Sequence, residues 1–326
     1  MLRKRFFLKK DAKTLAWLSR TRQKVHDSVQ KFFGSFFQKS TASLLAVAAF
    51  ICWATPAPAT DEKIATWNLD WLTLRAPGDP ALPDNVHPRR AVDLDRLRDY
   101  AGKLNADVVA FQEVDGVAAA ARVFDADRYS LLTIDEDVVQ QVGLAVRHGI
   151  GVQRHPDVAA LDVEPNAPHR LRAGLDATLV FPGGATLRLL AVHLKTGCHT
   201  DPLSSSNRPQ CALLARQIPV VAAWESARSA EGVPFMVIGD FNRVMDQNDA
   251  MSRALQAAAP LLRATEGQSD PCWDGQPFID HILLGGPARA WLVPGSLRIM
   301  TYRGNDPRDR DQLSDHCPVS VHLAVP

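Results

Sequence analysis

The chain has 326 residues, of which 46% are hydrophobic and 22% are charged. These proportions are typical of a globular protein and exclude a disordered tail, a collagen-like chain and a membrane protein with many spans. The net charge of +1 conceals an asymmetry, because residues 1–59 hold eleven Lys or Arg and two Asp or Glu, and the remainder holds 26 basic and 34 acidic residues. The larger part is therefore acidic, so a phosphate-bearing substrate would need a local site or a metal ion.

The N-terminal residues have the pattern of a targeting segment. The basic charge lies within residues 1–40, and the uncharged residues 41–60 include an eleven-residue apolar run at 44–54. This run is too short to span a bilayer, which takes about 20 residues. Small residues follow it, as in a secretory signal peptide cleaved near Ala59. An uncleaved anchor and a buried core helix are the alternatives, and signal and anchor both predict export to the periplasm or the extracellular space.

Residues 60–326 are predicted to form one domain in which strands and helices alternate. Short runs of β-branched and aromatic residues predict strands, and apolar residues three to four apart predict helices. The expected strands are residues 63–69, 107–111, 142–146, 175–181, 186–194, 234–239, 278–284 and 318–324. The expected helices are 89–104, 210–228 with Pro219 as a candidate kink, and 249–259, with a proline-rich loop at 75–88. Mixed sheets covered by helices fit this order best.

Four cysteines remain in the exported part, since Cys52 lies in the apolar run. An even number of cysteines in an oxidising compartment is typical of disulfides. Cys198 and Cys211 bracket a polar loop and are predicted to pair, and the pairing of Cys272 with Cys317 follows by elimination. The absence of a CxxC motif argues against a zinc ribbon and a thioredoxin-like site.

Polar side chains at the ends of predicted strands are the most informative feature of the sequence. They are Asn68, Asp70, Gln112, Glu113, His193, Asp240, Asn242, Asp280, His281, Asp315 and His316. Strand ends converge at one edge of a sheet, so these groups are expected to form an oxygen-rich cage for Mg²⁺, Mn²⁺ or Ca²⁺ rather than zinc. Taken singly, such an Asp or Asn is often a turn former and such a His is often structural. The ordered set is harder to explain in that way.

Six motifs in fixed order carry a resemblance to a known family. They are TWNLD at 66–70, FQEV at 111–114, VHL at 192–194, GDFN at 239–242, IDHIL at 279–283 and SDHCPV at 314–319. Together they make residues 62–326 similar to the endonuclease/exonuclease/phosphatase superfamily, which includes deoxyribonuclease I. The resemblance implies an α/β (α+β) fold, a four-layer sandwich of two packed mixed β-sheets flanked by helices. It also implies cleavage of a phosphate ester assisted by a divalent metal ion.

The resemblance assigns residues to the metal site. Glu113 matches the principal metal ligand, and Asn68 and Asp70 would complete or support the ligand shell. Asp315 would lie at the metal. The expected ion is Mg²⁺, with Mn²⁺ and Ca²⁺ as alternatives.

The same resemblance assigns residues to catalysis. Asp240 would orient or deprotonate the attacking water, and Asn242 would hold a phosphate oxygen. His316 would be the general base or a phosphate contact, and Asp280 would orient its imidazole. His193 would lie at the phosphate or the leaving group. Histidine suits these tasks because its ordinary pKa is near neutrality.

Several positions have two interpretations each. Arg172, next to Arg170 in HRLRAG, is a candidate phosphate contact, and the alternative is a solvated arginine pair. His281 supports the site or is merely packed. Trp67 and Trp71 are core residues or platforms for stacked bases.

The function expected from the sequence is that of an exported, metal-dependent phosphodiesterase, most simply a nuclease that uses in-line attack of water. Sphingomyelinase-like and inositol-polyphosphate-phosphatase-like hydrolysis are the alternatives within the family, and a non-catalytic binding protein is the alternative outside it. Val192-His193-Leu194 departs from the tyrosine-bearing motif of AP endonucleases, which argues against that branch. The expected partner is a phosphate-ester substrate, a nucleic acid in the first place. No stable protein partner is indicated, and a monomer is the default.

Overall fold

The computed structural model describes residues 59–167, 170–204, 207–272, 275–302 and 307–326. The predicted targeting segment lies outside these ranges apart from Ala59, so its cleavage and its alternatives stay predictions. No helix within the described ranges is long and apolar enough to cross a membrane.

One six-stranded sheet, here called sheet A, contains the first and last strands of the described chain. Its strands are β1 (Thr60–Leu72), β2 (Val108–Val114), β3 (Tyr129–Thr133), β4 (Gln141–Arg147), β11 (Arg298–Ile299) and β12 (Val319–Val325). Their order in the sheet is β11-β12-β1-β2-β4-β3. β1 and β2 are parallel and the other neighbours are antiparallel, so the sheet is mixed.

The second six-stranded sheet, sheet B, is mixed in the same way. Its strands are β5 (Gly151–Arg154), β6 (Leu175–Val180), β7 (Thr186–His193), β8 (Phe235–Asp240), β9 (Leu261–Arg263) and β10 (Asp280–Gly285). They lie in the order β5-β6-β7-β8-β10-β9. β7 and β8 are parallel, and every other pair of neighbours is antiparallel.

Helices cover the outer face of each sheet. They are α1 (Ala91–Leu104), α2 (Gly116–Val123), α3 (Pro209–Glu231), α4 (Ala250–Ala258) and α5 (Pro307–Gln312), with 3₁₀ turns at Ala159–Leu161 and Gly286–Ala290. α1 and α2 share a buried apolar cluster with sheet A, and α3 and α4 share one with sheet B. A third cluster joins the inner faces of the two sheets. The predicted four-layer sandwich is therefore confirmed.

The alternation of side chains along each strand determines which residues meet between the sheets. In β1, Ile64 belongs to the cluster between the sheets, whereas Ala65 and Trp67 belong to the cluster under the helices. Successive side chains of a strand point to opposite faces. Asn68 therefore lies on the same face as Ile64, at the last β1–β2 pair before the register shifts. The same parity puts Asp240 on the inner face with Ile238 in β8.

The structure extends the predicted elements in several places. Pro219 lies inside α3, which runs as one helix from Pro209 to a left-handed Gly232. Six elements were not predicted from the sequence: α2, α5, β3, β5, β9 and β11. Most of these elements are short, and β11 has only two residues, so their patterns are too brief to show a period.

Glu225 is a buried acid of α3 far from any charge that would stabilise it. Its side chain is fully buried, and neither carboxylate oxygen has a hydrogen-bond partner among the described residues. Burial raises the pKa of Glu225 to about 9 from an ordinary value of 4.5. The protonated form is therefore the one that the folded protein accommodates.

We expect Glu225→Gln to remove a pH-dependent loss of stability. The pKa of Glu225 is higher in the folded protein than in the unfolded chain. Its contribution to the free energy of unfolding is therefore fully present below the unfolded pKa and is lost as the pH rises from about 4.5 towards 9. The wild-type free energy of unfolding should fall by up to about 1.4 kcal/mol per pH unit in that window relative to the variant. Urea unfolding near about pH 5.5 and about pH 8 measures this difference. Glu231→Gln, at the exposed end of the same helix, is the control, and parallel pH profiles for all three proteins would contradict the prediction.

Candidate active site

The backbone is unusual where the polar strand ends converge. Among the described residues, the non-glycine positions with positive φ are Asp70, Trp71, Asn105, Glu113 and Asn242. Asn105 ends α1, and the other four positions all lie at the predicted site. Left-handed backbone is costly for residues with a Cβ and clusters at functional sites. The local conformation therefore serves to aim these side chains rather than to continue the strands.

Glu113 shows the effect of this conformation most clearly. By the alternation of β2 it would share the helix-facing side with Phe111. Instead φ is 60° at Glu113, and the pairing register shifts between Phe111 and Val114. The shift turns the carboxylate towards Asn68 and away from the helices.

Gly239 is required by the close approach of β7 and β8. Its φ is 144°, and a Cβ at this position would lie 2.0 Å from the carbonyl oxygen of Val192. Only glycine fits such a contact without moving the strands. The tight pairing brings Asp240 level with His193 on the neighbouring strand.

His316 and Asp280 form a hydrogen-bonded pair on one wall of the site. His316 Nδ1 lies 2.6 Å from Asp280 Oδ2, and His316 Nε2 lies 3.8 Å from both Asp240 Oδ2 and Asp315 Oδ1. Burial lowers the pKa of His316, but the charges of Asp280 and Asp240 outweigh burial and raise it well above the ordinary value. The structure therefore pairs the two residues as predicted and leaves Nε2 facing the carboxylates.

The backbone around His316 is held by buried hydrogen bonds. The Tyr302 hydroxyl donates to the His316 carbonyl oxygen at 2.8 Å, and it accepts a bond from Trp67 Nε1 at 3.0 Å. The His316 peptide N–H donates to Ser314 Oγ, whose hydroxyl donates in turn to the Asn68 carbonyl oxygen at 2.7 Å. Trp67 is fully buried. Of its two interpretations, the core one is correct, and the core side chain also fixes the site.

Asn68 links two carboxylates at the centre of the site. Its Nδ2 donates to Glu113 Oε1 at 3.0 Å and to Asp240 Oδ2 at 3.1 Å, and its Oδ1 accepts the Asp70 peptide N–H. Gln140 and the peptide N–H of Trp71 donate to the other Glu113 oxygen. Neighbours from several elements thus fix the Glu113 carboxylate, and the ligand roles of these residues stay predictions.

The donor chemistry of this cluster fits a divalent cation. Asp240 belongs to two groups whose ligand atoms lie within 4.8 Å of one another, with Glu113 and His193 in one and with Asp280 and His316 in the other. Burial raises the pKa of Asp240 to about 7. The His316 charge opposes this rise, and the neighbouring Asp280 charge adds to it. Carboxylates that repel each other in this way gain most from an added positive charge. Their oxygens suit Mg²⁺, Mn²⁺ or Ca²⁺.

His193 and Arg172 lie behind this cluster. Arg172 Nη2 lies 3.0 Å from His193 Nε2, and His193 Nε2 lies 3.4 Å from Glu113 Oε1. A guanidinium can only donate, so His193 Nε2 accepts and its Nδ1 carries the proton. Burial and the Arg172 charge lower the pKa of His193 well below its ordinary value. Arg172 is itself buried rather than solvated, so the alternative of a solvated arginine pair is wrong for it.

Asp70 and Asp315 lie at the rim rather than in the central groups. Asp70 Oδ2 is 3.3 Å from the buried guanidinium of Arg89, which also donates to the Leu313 carbonyl oxygen. Burial, followed by the charge of Asp315, raises the pKa of Asp70 to about 7. Arg89 was predicted to open a helix, but α1 begins at Ala91. Its charge instead offsets the rim acid.

Asn242 and His199 form the opposite wall of the cleft. Asn242 Nδ2 donates to Asp240 Oδ2 at 3.0 Å and to the Leu194 carbonyl oxygen, and its side chain hydrogen-bonds with His199. His199 was not among the residues predicted for the site. Its proximity to Cys198 was the available signal, since a disulfide can fix a loop beside a site.

Disulfides support both walls. The structure pairs Cys198 with Cys211 and Cys272 with Cys317, as predicted. Cys198 immediately precedes His199, and Cys317 immediately follows His316. Each bond therefore restrains the backbone next to a histidine of the cleft.

We expect the double variant Cys198→Ala/Cys211→Ala to lose about 2–4 kcal/mol of unfolding free energy. The bond closes a loop with a sequence separation of 13. Closing a loop of about 15 residues restricts the unfolded chain by roughly 3 kcal/mol. Urea unfolding of oxidised protein measures the change, with Ser204→Ala in the same loop as the control. Coincident unfolding curves for wild type and the double variant would contradict the prediction.

His281 points away from the cleft. It follows Asp280 by one residue, so the alternation of β10 turns it to the outer face. Its Nε2–H donates to the Arg243 carbonyl oxygen at 2.9 Å, and its Nδ1 accepts a bond from Thr265 Oγ1 at 2.7 Å. The packed interpretation of His281 is therefore the correct one.

A comparison with known families identifies the chain. A profile of the Endonuclease/Exonuclease/phosphatase family matches residues 65–316. The chain belongs to this family. Its members are metal-dependent phosphoesterases, and the paired sheets and the acidic cleft agree with that chemistry. No curated protein sequence matches the chain.

Solved structures share the fold of this family member. Truncated TDP2 of Caenorhabditis elegans superposes with a TM-score of 0.54 at 15% identity, covering 81% of this chain and 98% of that one. TDP2 of D. rerio complexed with a single-strand DNA product gives 0.55 at 18% identity, covering 81% and 98%. The 3′ phosphatase NExo of Neisseria, bound to a product DNA hairpin, gives 0.51 at 16% identity, covering 80% and 99%.

Proposed function

We propose that the protein is a divalent-metal-dependent phosphodiesterase that cleaves nucleic acid. The observation that carries this proposal is the hydrogen-bonded pair of Asp280 and His316. His316 Nε2 lies 3.8 Å from Asp240, one of the two carboxylates to which Asn68 donates. An imidazole aimed by a carboxylate can accept a proton from water. A binding protein on this scaffold would have no use for such a pair.

The residues divide the work of hydrolysis. A divalent cation held by Glu113 and Asp240, whose carboxylates are oriented by the Asn68 amide N–H groups, would neutralise charge on the non-bridging phosphate oxygens. His316 Nε2 takes the proton of the attacking water, with Asp280 holding Nδ1. His316 must first lose its own proton, and added positive charge near the same carboxylates lowers its pKa and favours that loss.

His193 contributes by position rather than by proton donation. Its low pKa keeps the imidazole neutral, and Arg172 occupies its Nε2. The buried Arg172 charge faces Glu113 and Asp240 through this ring. We infer that the pair offsets part of the carboxylate repulsion, so that the cluster stays folded before a cation binds.

A nucleic acid is the substrate favoured by the surroundings. The cleft has a volume of about 480 Å³ and is lined mostly by polar side chains, among them Thr196, Thr200, Gln276 and Arg310. The large exposed apolar side chains of the described ranges are few, and none of them lines the cleft: Leu74, Val92, Val117, Val180 and Leu262. A lipid enzyme would gain from a contiguous apolar surface near the cleft. Of the solved structures that share the fold, TDP2 of D. rerio was complexed with a single-strand DNA product and NExo of Neisseria was bound to a product DNA hairpin.

We also propose that residues 60–326 act outside the cytoplasm. The support is the apolar run that precedes Ala59, together with two disulfides that persist in oxidising compartments. Fractionation of the native host tests this step. Recovery of the protein in the cytoplasm with reduced cysteines would contradict it.

Hydrolysis assays with a panel of substrates test the function. The purified protein is incubated with plasmid DNA, RNA, sphingomyelin vesicles and bis-p-nitrophenyl phosphate, each with Mg²⁺, Mn²⁺, Ca²⁺ or EDTA. Cleavage of nucleic acid that stops in EDTA is the expected result. Cleavage of sphingomyelin without cleavage of nucleic acid moves the function to the lipid branch. Turnover of no substrate at any metal contradicts the proposal.

A further inference from the structure

A second cavity adjoins the catalytic cleft. It has a volume of about 460 Å³. Part of its lining comes from α5, and the rest comes from the segment that follows the centre of β1: Asp70, Trp71, Asn85, Val86, His87 and Arg89. It shares Trp71, Arg310 and Asp315 with the cleft. A substrate that fills both cavities therefore passes these three side chains.

Trp71 has the properties of a binding surface rather than of a core residue. Its indole is only partly buried, it belongs to none of the apolar core clusters, and no described ring or cation stacks on it. Its φ is 56°, a conformation that a bulky residue rarely adopts. Its peptide N–H donates to Glu113, so the same backbone that holds the metal-site carboxylate presents the indole between the cavities.

Arg310 provides an available positive charge at the same junction. It is exposed on α5, and no carboxylate among the described residues lies within ion-pair distance of it. Arg89, which lines the second cavity, is by contrast buried and paired with Asp70. Arg310 is thus the guanidinium of this cavity that can pair with a ligand phosphate.

We propose that the second cavity binds the nucleotide next to the scissile phosphate, with its base stacked on Trp71 and its outer phosphate on Arg310. This inference rests on the proposed function and names its substrate class as single-stranded nucleic acid. A base must be unpaired to stack on an indole, and stacking of this kind tolerates any base. The cavity volume is in the range of sites for small ligands.

Binding of an oligonucleotide without hydrolysis tests the stacking half of the proposal. A fluorescein-labelled oligothymidylate is titrated with wild type, Trp71→Ala and Trp71→Phe in EDTA, and fluorescence anisotropy gives Kd. Loss of one stacked base raises Kd about 5- to 150-fold. Trp71→Phe retains a ring and should recover most of the affinity. An unchanged Kd for Trp71→Ala in a folded protein overturns the subsite.

The salt dependence of the same titration tests the phosphate contact. Arg310→Ala should reduce the slope of log Kd against log salt concentration by about 0.7, the value of one single-strand phosphate contact. Arg122→Ala is the control, because Arg122 is exposed on α2 and lines neither cavity. Equal slopes for Arg310→Ala and Arg122→Ala overturn the assignment of Arg310.

Hydrolysis separates this inference from the proposed function. Trp71→Ala should lose at least fivefold more kcat/KM on the oligonucleotide than on bis-p-nitrophenyl phosphate, which has no flanking nucleotide. Equal losses on both substrates mean that Trp71 acts through Glu113, and they overturn the subsite. A wild type that binds the oligonucleotide through Trp71 but hydrolyses nothing contradicts the proposed function and supports the subsite. Binding of sphingomyelin vesicles in place of the oligonucleotide overturns both.

Discussion

Replacing His316 with alanine is expected to lower kcat for phosphodiester hydrolysis at least 100-fold, because general acid–base help of this kind is worth about 10²–10⁴-fold. The fold should survive, since Tyr302 and Ser314 hold the backbone of residue 316 through its carbonyl and peptide N–H groups. Steady-state hydrolysis of bis-p-nitrophenyl phosphate measures the loss. Circular dichroism and the urea midpoint measure the fold.

Two further variants make the His316 result specific. His322→Ala removes an exposed histidine of β12 that pairs with Asp61, and it should keep wild-type activity. Asp280→Asn keeps the imidazole but removes the carboxylate that sets its tautomer, so it should lose most of the rate that His316→Ala loses. A residual rate above about 1% in His316→Ala would exclude His316 as the general base.

Glu113→Gln is expected to abolish metal-dependent turnover while leaving the shape of the cleft intact. The amide keeps the size of the carboxylate and can still bond with neighbours such as Trp71, but it has no charge to attract a divalent cation. We expect kcat to fall at least 100-fold and the metal concentration for half-maximal rate to rise at least tenfold, in line with the loss of a principal electrostatic contact. Rates measured across a Mg²⁺ titration, with isothermal titration calorimetry for binding, give both quantities.

Glu136→Gln provides the matched control for Glu113. Glu136 also accepts hydrogen bonds, from Arg170 and from the Ala173 peptide N–H, but it does not line the cleft. It should retain a wild-type metal requirement. If Glu113→Gln binds Mg²⁺ as tightly as wild type does, the cation is held elsewhere, and the role of Glu113 is wrong.

The sandwich was predicted through the resemblance of six ordered motifs to a known family, and the meeting of the central residues was predicted from their positions at strand ends. In the structure, the parity of the strands explains why these side chains meet. His193, Asp240 and Asp280 each lie at a strand end, and Asn68 lies at the last regular pair of β1 with β2. All four are on the face that their apolar neighbours turn inward. The same reasoning applied to His281 would have placed it on the outer face, one residue out of phase with Asp280. The parity was available in the sequence and needed only the knowledge of which face was buried between the sheets.

Other features of the site could not be predicted, because they depend on loops and on deviations from regular strands. Gln140 reaches Glu113 from the turn before β4, and only the pairing of β4 with β2 determines that approach. The reversal of Glu113 by a left-handed residue has no periodic signal. The burial of Arg172 against His193 requires two chain segments to meet, whereas the sequence shows only a basic residue before a strand.

The pairing of β1 with β12 determines when the centre of sheet A can form during synthesis of the chain. Thr60 pairs with Val325 and Thr66 with Val319, so the centre of sheet A joins residues separated by more than 250 positions. Contacts between such distant segments form slowly, because the intervening chain must first be ordered. Until residues 319–325 have been synthesised, β1 has no partner on that edge. Until Ser314 has been synthesised, the Asn68 carbonyl oxygen lacks the hydroxyl that donates to it. Catalytic competence therefore arises after translation has passed residue 325, and a nascent chain is expected to be inactive and open to chaperones until then.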